Sequence, residues 1–173
     1  MRDMESTSVL MVCMGNICRS PMAEAVLRHQ LDAAGLGEHV HVDSAGTHSY
    51  HIGEPPHPET LAELARRGVD AGPQESRLVT PADLDEFDFI VAMDRANLDE
   101  LHALVLSTGG PDAVRAELSL LLEHAVELPG DAEVDEVPDP YYAGGYDHVF
   151  DLVTAGCTGL VELLREQLRP VPA

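Results

Sequence analysis

Apolar positions along the chain fall into short continuous runs, separated by segments in which they recur every three or four residues. Ser8 to Val12 (Ser-Val-Leu-Met-Val) is such a run, the pattern of a strand buried on both faces. A polar loop, Cys13 to Arg19, follows it. Ser20-Pro21 predicts the opening of a helix, with serine as N-cap and proline at the first helical position. Ala23, Val26, Leu27, Leu31 and Ala34 give that helix its apolar stripe, and Gly35 its stop. His39 to Asp43 alternates as a strand does, and Ser44 to Pro58, rich in Gly, Pro and His, reads as a long loop. A helix over about Glu59 to Arg67 is ended by Gly68. Phe87 to Met93 is the clearest interior strand, with Asp94 placed to cap the helix behind it. Ala116 to Leu122 fits either period and is assigned as a strand. A loop then leads to Tyr146, where a long helix begins and runs to about Leu168.

Strands alternating with helices predict an α/β fold: a single-domain, doubly wound, parallel four-stranded sheet with helices on both faces. The whole chain, 1–173, is expected to form one domain, with 1–6 as a flexible arm. Such sheets bind ligands where strands end and loops lead into helices, the place that Cys13 to Arg19 occupies.

Charge narrows the range of partners. The formal net charge is −21 and all ten basic residues are arginine. A surface this acidic argues against nucleic acid or an anionic membrane as partner, since both require clustered positive charge. The absence of lysine fits either an arginine-favouring coding bias or adaptation to high salt, where ions screen the repulsion among carboxylates. No apolar run reaches the roughly 20 residues of a membrane span, and Asp3 and Glu5 at the start do not resemble a secretory signal, so the cytoplasm is expected. Three cysteines in such a chain do not predict a disulfide scaffold. Cys157 falls on the apolar face of the last helix with Phe150, Val153, Leu160 and Leu164, and is expected to be buried and inert.

Cys13 and Arg19, with five residues between them and set between a strand and a helix, suit a loop that curls its N–H groups inward around an anion. The helix that follows adds free N–H groups and the positive end of its dipole. Gly15 is expected to take a backbone conformation closed to other residues, and Arg19 to grip two phosphate oxygens with its planar fork. The same field favours Cys13 as thiolate, held below a phosphate that it can attack in line. An ATP loop would need Gly-Lys-Ser/Thr, and zinc would need a second ligand pair at the usual spacing; neither is present, so no cofactor and no metal are expected.

Val12 to Pro21 resembles the phosphate loop of the low-molecular-weight protein-tyrosine phosphatases, Cys-x-Gly-Asn-x-Cys-Arg-Ser. The likeness extends to Ser44-Ala45-Gly46-Thr47, Ser76-Arg77 with Thr80, Ala92-Met93-Asp94 with Asn97, and Asp139-Pro140-Tyr141-Tyr142, in the family's order over nearly the whole chain. The resemblance implies that Cys13 is the nucleophile forming a phosphocysteine, that Arg19 stabilises the transition state, and that Asp139 is the general acid. Met14, Gly15, Asn16, Ile17, Cys18, Arg19 and Ser20 would bind the phosphate. Ser20 would cap the helix and bond the Cys13 thiolate, with Asn16 and Ser44 holding the loop in shape. Cys18 is expected to act as a redox partner, closing a transient disulfide with Cys13 against irreversible oxidation.

Ile17, Tyr50 and Tyr141 would line the substrate pocket, the two rings suiting a phenyl phosphate and making the slot too deep for phosphoserine. Similar protein-arginine phosphatases carry threonine where this chain has Ile17, which tilts the choice to phosphotyrosine. Tyrosine-phosphorylated proteins, with a cognate tyrosine kinase, are the expected partners of a monomer or weak dimer. Arsenate reductases of the same fold pass electrons through further mid-chain cysteines, and nothing lies between Cys18 and Cys157. A catalytically silent phosphate-binding module would be expected to have lost Cys13, Arg19 or Asp139. Gln74 stands where many relatives have a histidine, and His57-Pro58-Glu59 where they have Asp-Pro-Arg. His48, His51 and His57 are expected to sit in solvent.

Overall fold

The computed structural model describes residues 6–130 and 134–168. Residues 1–5 of the expected N-terminal arm lie outside the described residues. Strands β1 (Thr7–Cys13), β2 (Val40–Gly46), β3 (Phe89–Ala92) and β4 (Glu117–Leu120) run parallel in the order β2-β1-β3-β4. The helices are α1 (Arg19–Ala33), α2 (Pro58–Arg66), α3 (Asp83–Glu86), α4 (Arg95–Ser107), α5 (Pro140–Ala143) and α6 (Tyr146–Gln167). This is the predicted α/β class. Val9, Met11 and Cys13 of β1 pack on one side of the sheet with α1 and α6, and Leu10 and Val12 pack on the other with Leu84 of α3 and Leu101 and Val105 of α4. An uninterrupted apolar run serves both faces because successive strand residues point opposite ways.

The strand order places the site. From β1 the chain crosses first to β2 on one side and later to β3 on the other, which opens a crevice beyond the carboxyl end of β1. Cys13 is the last residue of β1 and pairs with Gly46, the last of β2. A Cβ on Gly46 would stand 2.7 Å from the Met14 carbonyl oxygen, so only glycine lets the loop after β1 pass.

Several boundaries differ from expectation. Helix α1 opens at Arg19 with Cys18 as N-cap and no side-chain cap, so Ser20 and Pro21 lie inside its first turn. Ser20 does not cap because its hydroxyl is engaged by Cys13 and Asn16. Strand β2 runs on to Gly46, shortening the loop predicted from Ser44. Phe87 ends α3 rather than beginning β3, and the Asp88 carboxylate accepts from Thr7 and Ser8 of β1 instead of continuing the strand. Of the ambiguous stretch 116–122, Glu117 to Leu120 is strand and Leu121 onward is a 3-10 turn. The short α3 and α5, four residues each, hold too few positions to show a period.

The caps read from sequence hold elsewhere. Asp94 and Asn97 form a reciprocal capping box on α4. Gly35 and Gly68, both at positive φ, end α1 and α2. In each case the residue after the glycine reaches back five, Leu36 N–H to Leu31 O (2.8 Å) and Val69 N–H to Leu64 O (2.9 Å). Among the described residues no helix is long and apolar enough to cross a membrane.

Candidate active site

The loop between β1 and α1 turns its carbonyl groups outward, where those of Cys13, Met14, Gly15, Ile17 and Cys18 find donors. Thr47 N–H donates to Cys13 O (3.0 Å), His48 N–H to Met14 O (3.0 Å) and His57 N–H to Ile17 O (2.7 Å). Ser76 Oγ donates to Gly15 O (3.0 Å) and Thr60 Oγ1 to Cys18 O (3.3 Å). Among the described residues, none of the N–H groups of Met14 to Cys18 donates to a protein acceptor. With the free N–H groups of the first turn of α1, they form an inward-facing set of donors, the arrangement that binds a phosphate.

Asn16 is the residue that bends the loop. It alone among non-glycine described residues has positive φ, 57°. Gly15, expected to carry the unusual conformation, does not; its constraint is space, since a Cβ there would lie 3.1 Å from the His51 ring. The cost of Asn16's conformation is offset by three hydrogen bonds, two of them fully buried: Oδ1 accepts from Arg77 N–H (3.0 Å), and Nδ2 donates to Ser20 Oγ (2.8 Å) and Ser44 Oγ (2.9 Å). Cys13 Sγ lies 3.0 Å from Ser20 Oγ, so the sulfur has the hydroxyl partner that the sequence assigned to it.

Arg19 is buried, and one edge of its fork is anchored. Nη1 donates to Asp94 Oδ2 (2.6 Å) and to the Val137 carbonyl (3.0 Å), while Nη2 faces Asp139 Oδ2 at 3.6 Å. Burial works against the Arg19 charge, but Cys13, Asp94 and Asp139 outweigh it and hold its pKa above the ordinary guanidinium value. Asp139 caps α5 by accepting from Tyr141 N–H at 3.0 Å.

Above the loop is a cavity of about 230 Å³ whose lining includes Cys13, Ile17, Arg19, Asp139, Tyr50 and Tyr141. The lining holds the residues expected for catalysis (Cys13, Arg19, Asp139) and for the substrate pocket (Ile17, Tyr50, Tyr141), with Met14, Gly15 and Cys18 of the expected phosphate-binding set; Asn16 and Ser20 are buried behind it. It adds His51 and Tyr142, the latter edge-on to Tyr141 with ring centroids 4.7 Å apart. Tyr142 could have been read from its place beside Tyr141. Asp94 was legible only as a cap, and Val137 contributes a carbonyl that no side chain announces.

Cys18 and Cys157 are buried free thiols. His57 Nδ1 accepts from Glu59 N–H (3.1 Å) and so must also accept from Tyr146 Oη (3.3 Å); the Cys18 thiol is then left to donate to that phenol oxygen at 3.5 Å. Burial pushes the Cys18 thiol up to about 11, and pushes Tyr146 and Cys157 up as well. Cys157 Sγ meets only the Ala23 carbonyl at 3.7 Å and matches its expected inert role.

The histidines expected in solvent are half-buried. His48 stacks on Tyr50, His51 lines the cavity, and His57 caps α2 and stacks on Tyr146. His57 takes over, with a ring nitrogen, the capping that an aspartate carboxylate would perform. Among the described residues no group of His, Cys, Asp and Glu is arranged to hold a metal.

A strand–loop–helix cradle of free N–H groups with a cysteine at its base is suited to holding a phosphate group. The description "Low molecular weight phosphotyrosine protein phosphatase" matches residues 8–170. The low molecular weight protein-tyrosine-phosphatase YfkJ of Bacillus subtilis is 40% identical over 160 residues, 92% of this chain and 97% of the relative. Its crystal structure superposes with a TM-score of 0.84 at 38% identity, covering 95% of this chain and 98% of that one. The crystal structure of the drosophila arginine phosphatase DARP superposes with a TM-score of 0.81 at 31% identity, covering 91% and 97%. The chain belongs to the low molecular weight protein-tyrosine phosphatase family, and with it to the phosphoric monoester hydrolases.

Proposed function

We propose that the chain hydrolyses phosphotyrosine on proteins through a phosphocysteine. The observation that carries the reading is the convergence of Cys13, Arg19 and Asp139 in the lining of one tyrosine-walled cavity, with Arg19 Nη2 3.6 Å from Asp139. Cys13 Sγ attacks phosphorus in line, forming the S–P bond as the bond to the tyrosine oxygen breaks. Inward N–H groups and the free edge of Arg19 take up the charge on the three equatorial oxygens. Asp139 gives its proton to the departing phenolate, then accepts one from the water that attacks phosphorus and frees inorganic phosphate, returning the thiolate.

Depth supports the choice of tyrosine. The sulfur is buried, while Tyr50 and Tyr141 stand exposed at the rim, so a phenyl ring spans the distance that a serine side chain does not. Ile17 in the lining presents an apolar wall to that ring rather than a hydroxyl for a guanidinium.

Cys18 has a protective role on this reading. Hydrogen peroxide oxidises the Cys13 thiolate to a sulfenic acid, and the Cys18 thiol displaces water from that sulfur to close a disulfide. Three free thiols suit a reducing compartment, and the cytoplasm is the proposed location, with tyrosine-phosphorylated proteins as partners.

Turnover of phosphotyrosine, phosphoserine and phosphoarginine peptides and of arsenate tests the assignment. Only the first should be processed efficiently, and Cys13→Ser should abolish hydrolysis, by at least about 10⁴-fold. Preference for phosphoarginine, or hydrolysis surviving in Cys13→Ser, would refute it.

A further inference from the structure

A chain of hydrogen bonds runs from Cys13 back into the protein and ends on a buried carboxylate outside the cavity. Every donor in it can be assigned. The Arg77 N–H can only donate, so the amide atom it meets at 3.0 Å is Asn16 Oδ1, and the far end of that amide is its NH2. That NH2 supplies one hydrogen to Ser20 Oγ and one to Ser44 Oγ. Each hydroxyl then has a single hydrogen left. Ser20 turns it to Cys13 Sγ at 3.0 Å, and Ser44 turns it to Glu24 Oε1 at 2.8 Å.

Glu24 is 3% exposed. Its second oxygen accepts from Arg28 Nη2 (2.6 Å) and from Gln74 Nε2 (3.0 Å). Gln74 Nε2 also donates to Pro21 O at 3.1 Å, while Gln74 Oε1 is buried with no partner. Residue 74 therefore contributes a neutral donor, and Arg28, one turn along α1, contributes the charge.

The geometry points to Glu24, paired with Arg28, as a positioning residue for the Cys13 thiolate. The carboxylate draws the Ser44 hydrogen, the Ser44 lone pair holds the Asn16 NH2, and the amide so held leaves the Ser20 hydrogen no acceptor but the sulfur. The inference rests on Cys13 being the nucleophile, and the residues it adds, Glu24, Arg28 and Ser44, do not line the cavity.

An isosteric change reverses the chain. In Glu24→Gln the one remaining oxygen faces the two donors of Arg28 and Gln74, and the new NH2 faces Ser44. Ser44 then accepts from residue 24 and turns its hydrogen on the Asn16 NH2, donor against donor. The amide is either pushed away from Ser44 or flips, its oxygen then taking the Ser20 hydrogen while its NH2 is set against the Arg77 N–H; either way the Ser20 hydroxyl is no longer held to the sulfur.

Iodoacetamide modification reads this without substrate, because only a thiolate reacts, and mass spectrometry assigns the adduct to Cys13. Glu24→Gln should slow modification at pH 6 by about tenfold and change it less than about twofold at pH 9. In a Ser44→Ala background, with no hydroxyl to reverse, the same substitution should change the pH 6 rate less than about threefold. An unchanged rate in Glu24→Gln, or an equal loss with and without Ser44, would overturn the proposal. If Glu24→Gln does not unfold cooperatively on heating, the half-exposed Arg28 decides. Arg28→Gln should slow pH 6 modification about threefold and Arg28→Lys should restore it, whereas equal rates in all three proteins would overturn the proposal. Failure of the phosphatase reading would appear separately, as hydrolysis by Cys13→Ser.

Discussion

The two segments that face each other across the cavity are built in opposite ways. Cys13, Asn16, Ile17, Cys18, Arg19 and Ser20 are all buried, and their loop is tied to β2, to residues 57–60 and to residues 76–77. Asp139 instead sits on a four-residue helix between Pro138 and the paired glycines Gly144 and Gly145, both at positive φ, with a third of its side chain open to water. The contrast suits the two tasks proposed for them. Dipoles that stabilise a transferring phosphoryl group act best when they need not reorganise, so the cradle is fixed in advance. An acid that surrenders and regains a proton in every cycle must stay in reach of solvent, so it sits on a light support.

Substitutions can break that contrast from either side. Asn16→Ala should do most harm: it strands the Arg77 N–H, frees both serines and leaves a Cβ residue at positive φ. Turnover should fall about 10³-fold and stability by about 3 kcal/mol, read by steady-state kinetics and urea denaturation. Asp139→Asn should separate chemistry from folding, since asparagine caps as well as aspartate. Phenyl phosphate turnover should drop about 10²-fold, p-nitrophenyl phosphate less, and stability should stay within about 0.5 kcal/mol. Equal losses on both substrates would remove Asp139 as the acid.

Asp94→Asn probes the hinge between the two segments. The α4 cap survives while the carboxylate gripping Arg19 loses its charge, and kcat should fall about tenfold with a smaller change in KM. Alkali should act on the rigid side. The Cys18 thiol is raised from an ordinary value of 9.0 to about 11, so between those pH values the unfolded chain has given up a proton that the folded one retains. Stability is therefore full below about pH 9 and is lost as pH rises towards 11. Tyr146 and Cys157, raised by the same burial, add to the slope, and Cys18→Ala should flatten part of it in denaturation midpoints measured against pH.

The smallest effect concerns charge at long range. All eight described arginines pair with carboxylates, so Arg19 has no free cation beside it to attract an acidic phosphoprotein. Raising salt from about 20 to 200 mM should improve phosphoprotein turnover about two- to threefold and leave a small aryl phosphate unchanged. Equal responses would assign the effect to the site itself.

Most of the site was legible because it is local. Cys13 to Ser20 is one strand–loop–helix unit, and its residue types at that spacing already imply a thiol at the base of an anion cradle. Ser20 shows where local reading stopped: its position before proline looked like a cap, yet its hydroxyl serves Cys13 and Asn16 instead. Glu24 and Arg28 would pass for an ordinary exposed pair one helical turn apart, because nothing in the helical period reveals that Ser44 lies against them. The histidines misled for a similar reason, since a Gly- and Pro-rich segment looks solvated until Tyr50, Tyr141 and Tyr146 are folded onto it.

Alternation of strand and helix, and a cysteine at the start of a loop suited to an anion, were determined by the sequence alone, because they depend on neighbours within about ten residues. Which groups grip Arg19, which carboxylate stands behind Cys13 and which rings wall the cavity were decided by the tertiary structure. Asp94, Val137 and Tyr146 lie 75 to 128 residues from their partners in the loop. They meet them only because the parallel register brings the ends of β1 and β3 together and α6 packs against α1. Contacts of that range are set by packing, and packing has no local period to read.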